Sequence, residues 1–376
     1  MRATLPLYAG GFLGPFGGAM LVAIIPNVAG GLDTSVTLVA AAITTYMVPF
    51  AVLQLVSGTI AQRLGPSRVV RVGYVAFGAA ALLCAFAPTI WVFLVARAIM
   101  GAANAFLSPI LLAALSEVVA PNVLGRTVGT FAAWQTAGFT FAPAIGGALG
   151  EVSWRLAFVA VTVAAIGLAL PRRTLGSFEH TAAPEAGLRA LLNRWIALLS
   201  AKALLGYLGF SAIGFVLVLV AAEEFGLSSG TRGLLVAGYG LGGILLGRVA
   251  GIVVDRAGRP GTALAGTLAC AALVLGLAVV PTAWSLALVW LAVGCAGTFV
   301  WAGLNTIAVE SFPQNRAGAT SAFSAFKFAG VAIAPLVYVP LFHESARSPF
   351  LVAAGCTLLL AVLIVPWFGR YREAAA

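Results

Sequence analysis

The sequence predicts an all-α membrane protein in which twelve transmembrane helices form two pseudo-symmetric bundles of six. Three observations carry that expectation. Of 376 residues, 61% are hydrophobic and 9% charged, against about a quarter charged in soluble domains. The apolar residues gather into twelve long runs, and the second six runs repeat the first six at a nearly constant offset.

A crossing of the hydrocarbon layer takes roughly 20 apolar residues at 1.5 Å rise each. The runs fall near 6–28, 36–61, 69–87, 90–116, 126–149 and 154–171, then 195–221, 231–254, 261–280, 283–309, 317–341 and 348–368. Their continuous apolarity, without two-residue alternation, favours helices over barrel strands. The first run has no small-residue cleavage site before the second, so it reads as a retained helix. Residues 172–194, the most charged stretch, read as a cytoplasmic linker between domains at 1–171 and 195–376. Cys84, Cys270, Cys295 and Cys356 all lie inside apolar runs, without metal or pairing spacing, so neither a disulfide nor a cofactor or metal site is expected.

The formal charge of +10 could suggest nucleic acid, but its distribution argues otherwise. With the N-terminus in the cytoplasm, fourteen of the 21 Arg and Lys fall on cytoplasmic segments and Arg155, Arg232 and Arg347 on the other side. This is the positive-inside asymmetry, which sets orientation. Both termini are therefore expected in the cytoplasm of a cell membrane, with lipid and not nucleic acid as the large partner.

Two short stretches stand out for charge in so apolar a chain: "GTIAQRLGPS" at 58–67 and "GIVVDRAGRP" at 251–260. They lie 193 residues apart, an offset that also pairs Gly73 with Gly266, Gly101 with Gly294 and Glu117 with Glu310. After a one-residue deletion the offset is 192, pairing Phe131 with Phe323, Gly138 with Gly330 and Pro143 with Pro335. Six-span parallel repeats of this kind occur in transporters that bind substrate near the bilayer midplane.

On these residues the chain resembles the major facilitator superfamily of secondary transporters over essentially its whole length. Gly251, Asp255, Arg256, Gly258 and Arg259 match the family's loop signature after the second helix of a half, and Gly58, Arg63, Gly65 and Arg68 form a weaker first copy with Gln62 in place of the acid. The resemblance implies a cytoplasmic gate of exchangeable charge contacts, answered by Glu117 and Arg126 in the first half and by Glu310 and Arg316 in the second. Arg97, four residues before Gly101, fits the fourth-helix pattern; an arginine roughly 10 Å into hydrocarbon is costly and by default functional, though it could also snorkel outward. Gly129, Gly138, Pro143, Gly146 and Gly147 resemble the fifth-helix signature of antiporters. As physics they indicate close, kinked helix packing; antiport comes from the resemblance alone.

The resemblance also implies a central cavity lined by the first, fourth, seventh and tenth spans. Lys327 is the most informative candidate for substrate contact, because it lies too deep to snorkel easily and its repeat partner is Gln135. Arg97, Asn104, Arg248, Gln54, Asn27, Tyr207, Tyr239, Trp301 and Asn305 complete the candidates, each equally suited to bonding between helices. All eleven acidic residues fall in loops or at helix ends, and buried cations without buried acids should attract anionic or neutral molecules. The expected activity is export of a small organic molecule by proton antiport or exchange, from a monomer. The alternative is uptake or exchange of an organic anion on intramembrane Lys and Arg. No nucleophile or metal partner accompanies His180 or His343, so an enzyme is not expected.

Overall fold

A computed structural model describes residues 5–119, 124–169, 194–310 and 316–368. Most of the linker and the side chains of Glu117, Arg126 and Arg316 lie outside the described set. The described chain is helical nearly throughout. In order the helices are α1 (Leu5–Ala19), α2 (Leu21–Gly31), α3 (Val36–Leu64), α4 (Pro66–Ala85), α5 (Ile90–Asn104), α6 (Ser108–Val118), α7 (Leu124–Val152) and α8 (Trp154–Ala169). The second series is α9 (Arg194–Gly206), a π-helical turn at Tyr207–Ser211, α10 (Gly214–Glu223), α11 (Ser229–Ala257), α12 (Arg259–Leu277), α13 (Ala283–Glu310), α14 (Arg316–Glu344) and α15 (Ser348–Ile364). Among the described residues nine helical segments are long and apolar enough to cross a membrane, or ten if α1 and α2, bent by 45°, make one span.

The sequence repeat reappears in the helix boundaries. Helices α3 and α11 both run for 29 residues and begin and end 193 residues apart. Helices α7 and α14, also of 29 residues, keep the shorter offset of 192 at both ends. Each half also breaks its first long helix at the same place, since α2 starts at Leu21 and α10 at Gly214.

The punctuation follows from local chemistry. Gly65 and Gly258 hold φ of +86° and +83°, a conformation that costs glycine almost nothing and other residues a Cβ clash. Pro66 and Pro260 then sit in the first turn of α4 and α12, where proline's missing N–H is not needed. Ser35 and Thr89 accept from the backbone N–H of Leu38 and Val92 to cap α3 and α5.

Contacts divide the chain into two compact units. The first comprises Met1–Ala183 together with Leu227–Ala237, the second Pro184–Gly226 and Gly238–Ala376, so the opening turns of α11 belong with the first unit. In the first, α1 packs on α7, and α4 on α5 and α8; in the second, α9 packs on α14, and α12 on α13 and α15. These are equivalent pairs under the repeat. Close approach is bought with glycine: a Cβ on Gly101 would run into the Tyr46 carbonyl oxygen, and one on Gly294 into the Tyr239 carbonyl oxygen.

Candidate functional site

The second unit gathers five of the candidate residues into one cluster. The break after α9 puts Tyr207, Phe210 and Ser211 on a π-helical turn, a distortion that often marks functional positions because it re-aims side chains. Ser211 Oγ and Tyr239 Oη lie 2.8 Å apart, and Trp301 Nε1 donates to both, at 3.1 and 3.3 Å. Tyr207 packs on Trp301 with ring centroids 4.9 Å apart, and Phe210 approaches the same indole at 5.6 Å. The turn and α11 thereby fix one tryptophan of α13.

Lys327 stands beside it. The residue lies eleven positions into α14, roughly 16 Å along the helix. Its Nζ donates to Asn305 Oδ1 at 2.8 Å and sits 4.9 Å from the Trp301 ring centroid and 4.5 Å from that of Phe323. No carboxylate of the described residues bonds it. Lys327 is half-buried and Asn305 exposed, so the pair opens on a face of the unit.

Arg97 has a different setting. Its guanidinium is wholly buried and donates to the Gly17 and Gly18 carbonyls at 2.9 and 3.1 Å, at the end of α1 where the helix bends. The plane also lies over Tyr46, 4.4 Å from the ring centroid. The cation therefore serves two carbonyls in the last turn of α1, where a helix has fewest partners of its own. Asn104, also buried, faces α1 at Gly14, where a Cβ would strike its Oδ1. Gln54 and Gln135 are half-buried and enter neither cluster; Arg248 is exposed and has no hydrogen bond or ion pair among the described residues.

Asn27 belongs to a third group within the first unit. Its Nδ2 donates to the Gly150 carbonyl at 3.3 Å, and its Oδ1 accepts from Arg232 in the opening turns of α11. Beside it, exposed Glu151 accepts from the Gly230 N–H at 2.9 Å. Hydrogen bonds from Ser228 and then from Gly230 hold its carboxyl below the usual carboxylate range. The fifth-helix glycines make the approach possible. Gly147 packs against the Ser229 carbonyl, Gly233 against that of Pro143, and Gly138 and Gly146 against those of Phe12 and Met20; Gly129 meets open space.

At the loop signature, the described ion pair is Arg259 with Glu310, a two-pronged contact at 3.1 and 2.9 Å. Asp255 and Arg256, expected to carry the gate, are exposed and bond nothing within the described residues. The difference has a geometric cause: both lie in the last turn of α11, whereas Arg259 opens α12 beside the end of α13. Arg63 and Arg68 are exposed, and Gly58 and Gly251 have open space around them.

Sequence reasoning missed Ser211, Phe210 and Phe323 in the cluster and Glu151 with Ser228 near Asn27. Only Phe323 carried a signal, being four residues before Lys327 and so on its helix face. Among the described residues no group of three His, Cys, Asp or Glu could hold a metal ion.

Comparison with known proteins agrees with this architecture. The chain is 26% identical over 361 residues to the multidrug efflux protein YfmO of Bacillus subtilis, covering 91% of this chain and 87% of that protein. Other relatives match in part. The methylenomycin A resistance protein of Streptomyces coelicolor is 31% identical over 49% of this chain and 40% of its own length, and the transporter EfpA of Mycobacterium tuberculosis 35% identical over 35% and 26%. The chain thus spans well under two thirds of the length of several curated relatives. Among solved structures, a POT family transporter superposes with a TM-score of 0.81 at 13% identity, over 98% of this chain and 96% of that one, and the nucleoside transporter NupG with 0.79 at 16%, over 97% and 100%. The Major Facilitator Superfamily profile matches twice, at residues 7–204 and 199–376. With the profile covering nearly every residue and each match taking one copy of the repeat, the chain belongs to the Major Facilitator Superfamily.

Proposed function

We propose that this protein is a secondary transporter that exports a small organic molecule across the cell membrane by alternating access, through proton antiport or exchange, with both termini in the cytoplasm. The observation that carries the reading is the nearly full-length similarity to a multidrug efflux protein. The arginine distribution supports the orientation. The helix-five glycines packed on backbone carbonyls support the likeness to antiporters. Lys327, among aromatic rings and bonded by no carboxylate of the described residues, favours an anionic or neutral substrate. The Arg259–Glu310 pair, with Gly58, Arg63, Gly65, Arg68, Gly251, Asp255, Arg256 and Gly258, forms the proposed cytoplasmic gate.

Purified protein would be screened by thermal shift against matched anionic, neutral and cationic compounds, and any hit followed into proteoliposomes. Antiport predicts protein-dependent accumulation of the hit when the lumen is more acidic than the bath, because protons leave as substrate enters. Absence of protein-dependent flux for every hit would overturn transport. Lys327 also favours a second reading, organic-anion uptake, and accumulation driven by an acidic bath would select it over export.

A further inference from the structure

Trp301 and Phe323 present their rings to Lys327 at an interplanar angle of 73°, with centroids 6.4 Å apart. Two aromatic walls meeting at such an angle around a cation, with Tyr207 extending the Trp301 side, have the form of the cages that bind quaternary ammonium groups. Here the seat is already taken by the ammonium of Lys327 at 4.9 and 4.5 Å from the two centroids. The cage does not depend on its occupant. The Trp301 indole is anchored from the far side by Ser211 and Tyr239 through Nε1, and neither contact involves Lys327.

We propose that Lys327 is the charge-selecting residue of an aromatic cage, and that the ligands it admits are aromatic organic anions. This rests on the reading of the cluster as the substrate-contacting part of a transporter. An incoming carboxylate can take up the ammonium now shared with Asn305, while its ring lies against indole or phenyl in offset or edge contact. A flat anion so uses both properties of the corner, and an aliphatic anion uses only one. Organic cations are turned away twice, by the occupied seat and by like charge at close range in a medium that screens weakly. With the side chain replaced by a short uncharged one, the same walls would become a seat for cations.

The test is direct binding to the purified full-length protein, followed by isothermal titration calorimetry, with benzoate, hexanoate, benzyl alcohol and benzyltrimethylammonium as probes. Wild type should bind benzoate at least tenfold more tightly than hexanoate or benzyl alcohol, and benzyltrimethylammonium most weakly. Lys327→Ala should lose at least tenfold for benzoate and gain at least tenfold for benzyltrimethylammonium, and Lys327→Arg should keep the anion preference. Adding Trp301→Ala to Lys327→Ala should remove the gained cation binding. Asn305→Asp leaves the lysine in place but sets a carboxylate beside it, so it too should weaken benzoate at least tenfold, and it tests the idea should Lys327→Ala fail to fold. An unchanged charge preference in Lys327→Ala or Asn305→Asp, or cation binding that survives loss of Trp301, would overturn the proposal. Because these are binding measurements, a protein that switches charge preference yet moves nothing across a bilayer would sink the transport reading alone.

Discussion

The two units share a backbone and differ in what they place on it. Tyr46 and Gly101 in the first correspond under the 193-residue offset to Tyr239 and Gly294 in the second, and each glycine lets a helix rest on its tyrosine's carbonyl. The neighbour of that contact differs. Arg97 lies over Tyr46 and ties down Gly17 and Gly18, whereas at the equivalent position Trp290 stacks on Tyr239 with centroids 5.0 Å apart. The broken helices differ in the same sense. Gly14, Gly17 and Gly18 stand where the second unit has Tyr207, Phe210 and Ser211. In the first unit the broken helix is bare and its neighbours fill it; in the second it supplies the side chains itself. A repeat therefore preserves the places where main chains touch and leaves the filling chemistry free: the buried Arg97 has Trp290 as its counterpart, and the half-buried Lys327 has Gln135.

The largest expected effect separates these two uses. Arg97→Met would leave two buried carbonyls without donors, a loss of about 2–6 kcal/mol at about 1–3 kcal/mol each. Trp290→Phe, which keeps a stacked ring, should cost about 1 kcal/mol. Apparent Tm values in detergent give the ranking, and equal losses would mean that Arg97 acts as packing volume and not as a donor. The shared part of the comparison is tested next. Gly101→Val and Gly294→Val should each destabilise by about 1–3 kcal/mol or more through overpacking against main chain, and by similar amounts. If one variant were tolerated and the other not, the helix crossings would not be equivalent.

Much of this was legible beforehand because a repeat is recorded in glycines, prolines and charges at fixed spacing. The register that aligned Gly58 with Gly251 also located the ends of α3 and α11, and the one-residue deletion located α7 and α14. Facing was harder to read. A helix apolar on every side has no polar stripe to show which way a residue points, so the sequence ranked Arg97, Arg248 and Lys327 by depth and not by facing, and one is wholly buried, one exposed and one between. The break after α9 has no proline to announce it, so nothing drew Ser211 into the cluster. Glu151 and Ser228, 77 positions apart, are partners only because glycines let α7 approach the opening turns of α11, a relation no local pattern encodes.

The smallest effect is expected at the loop signature, where the units differ again. Arg259 reaches Glu310 with both partners substantially open to solvent, at 30% and 38% side-chain exposure; the first unit has Pro66 at the position of Arg259 and so no counterpart pair. Screening and side-chain entropy hold such a pair to about 0–1 kcal/mol, so Arg259→Gln should move the apparent Tm least of these variants. A contact this cheap to break and remake suits a gate, which must open and close in every cycle, better than it suits a brace. The measurement that checks the difference is cysteine labelling at the end of α13: Arg259→Gln should raise labelling several-fold at unchanged Tm. A fall in Tm with labelling unaltered would make the pair a structural tie, and the asymmetry between the units would then concern stability and not movement.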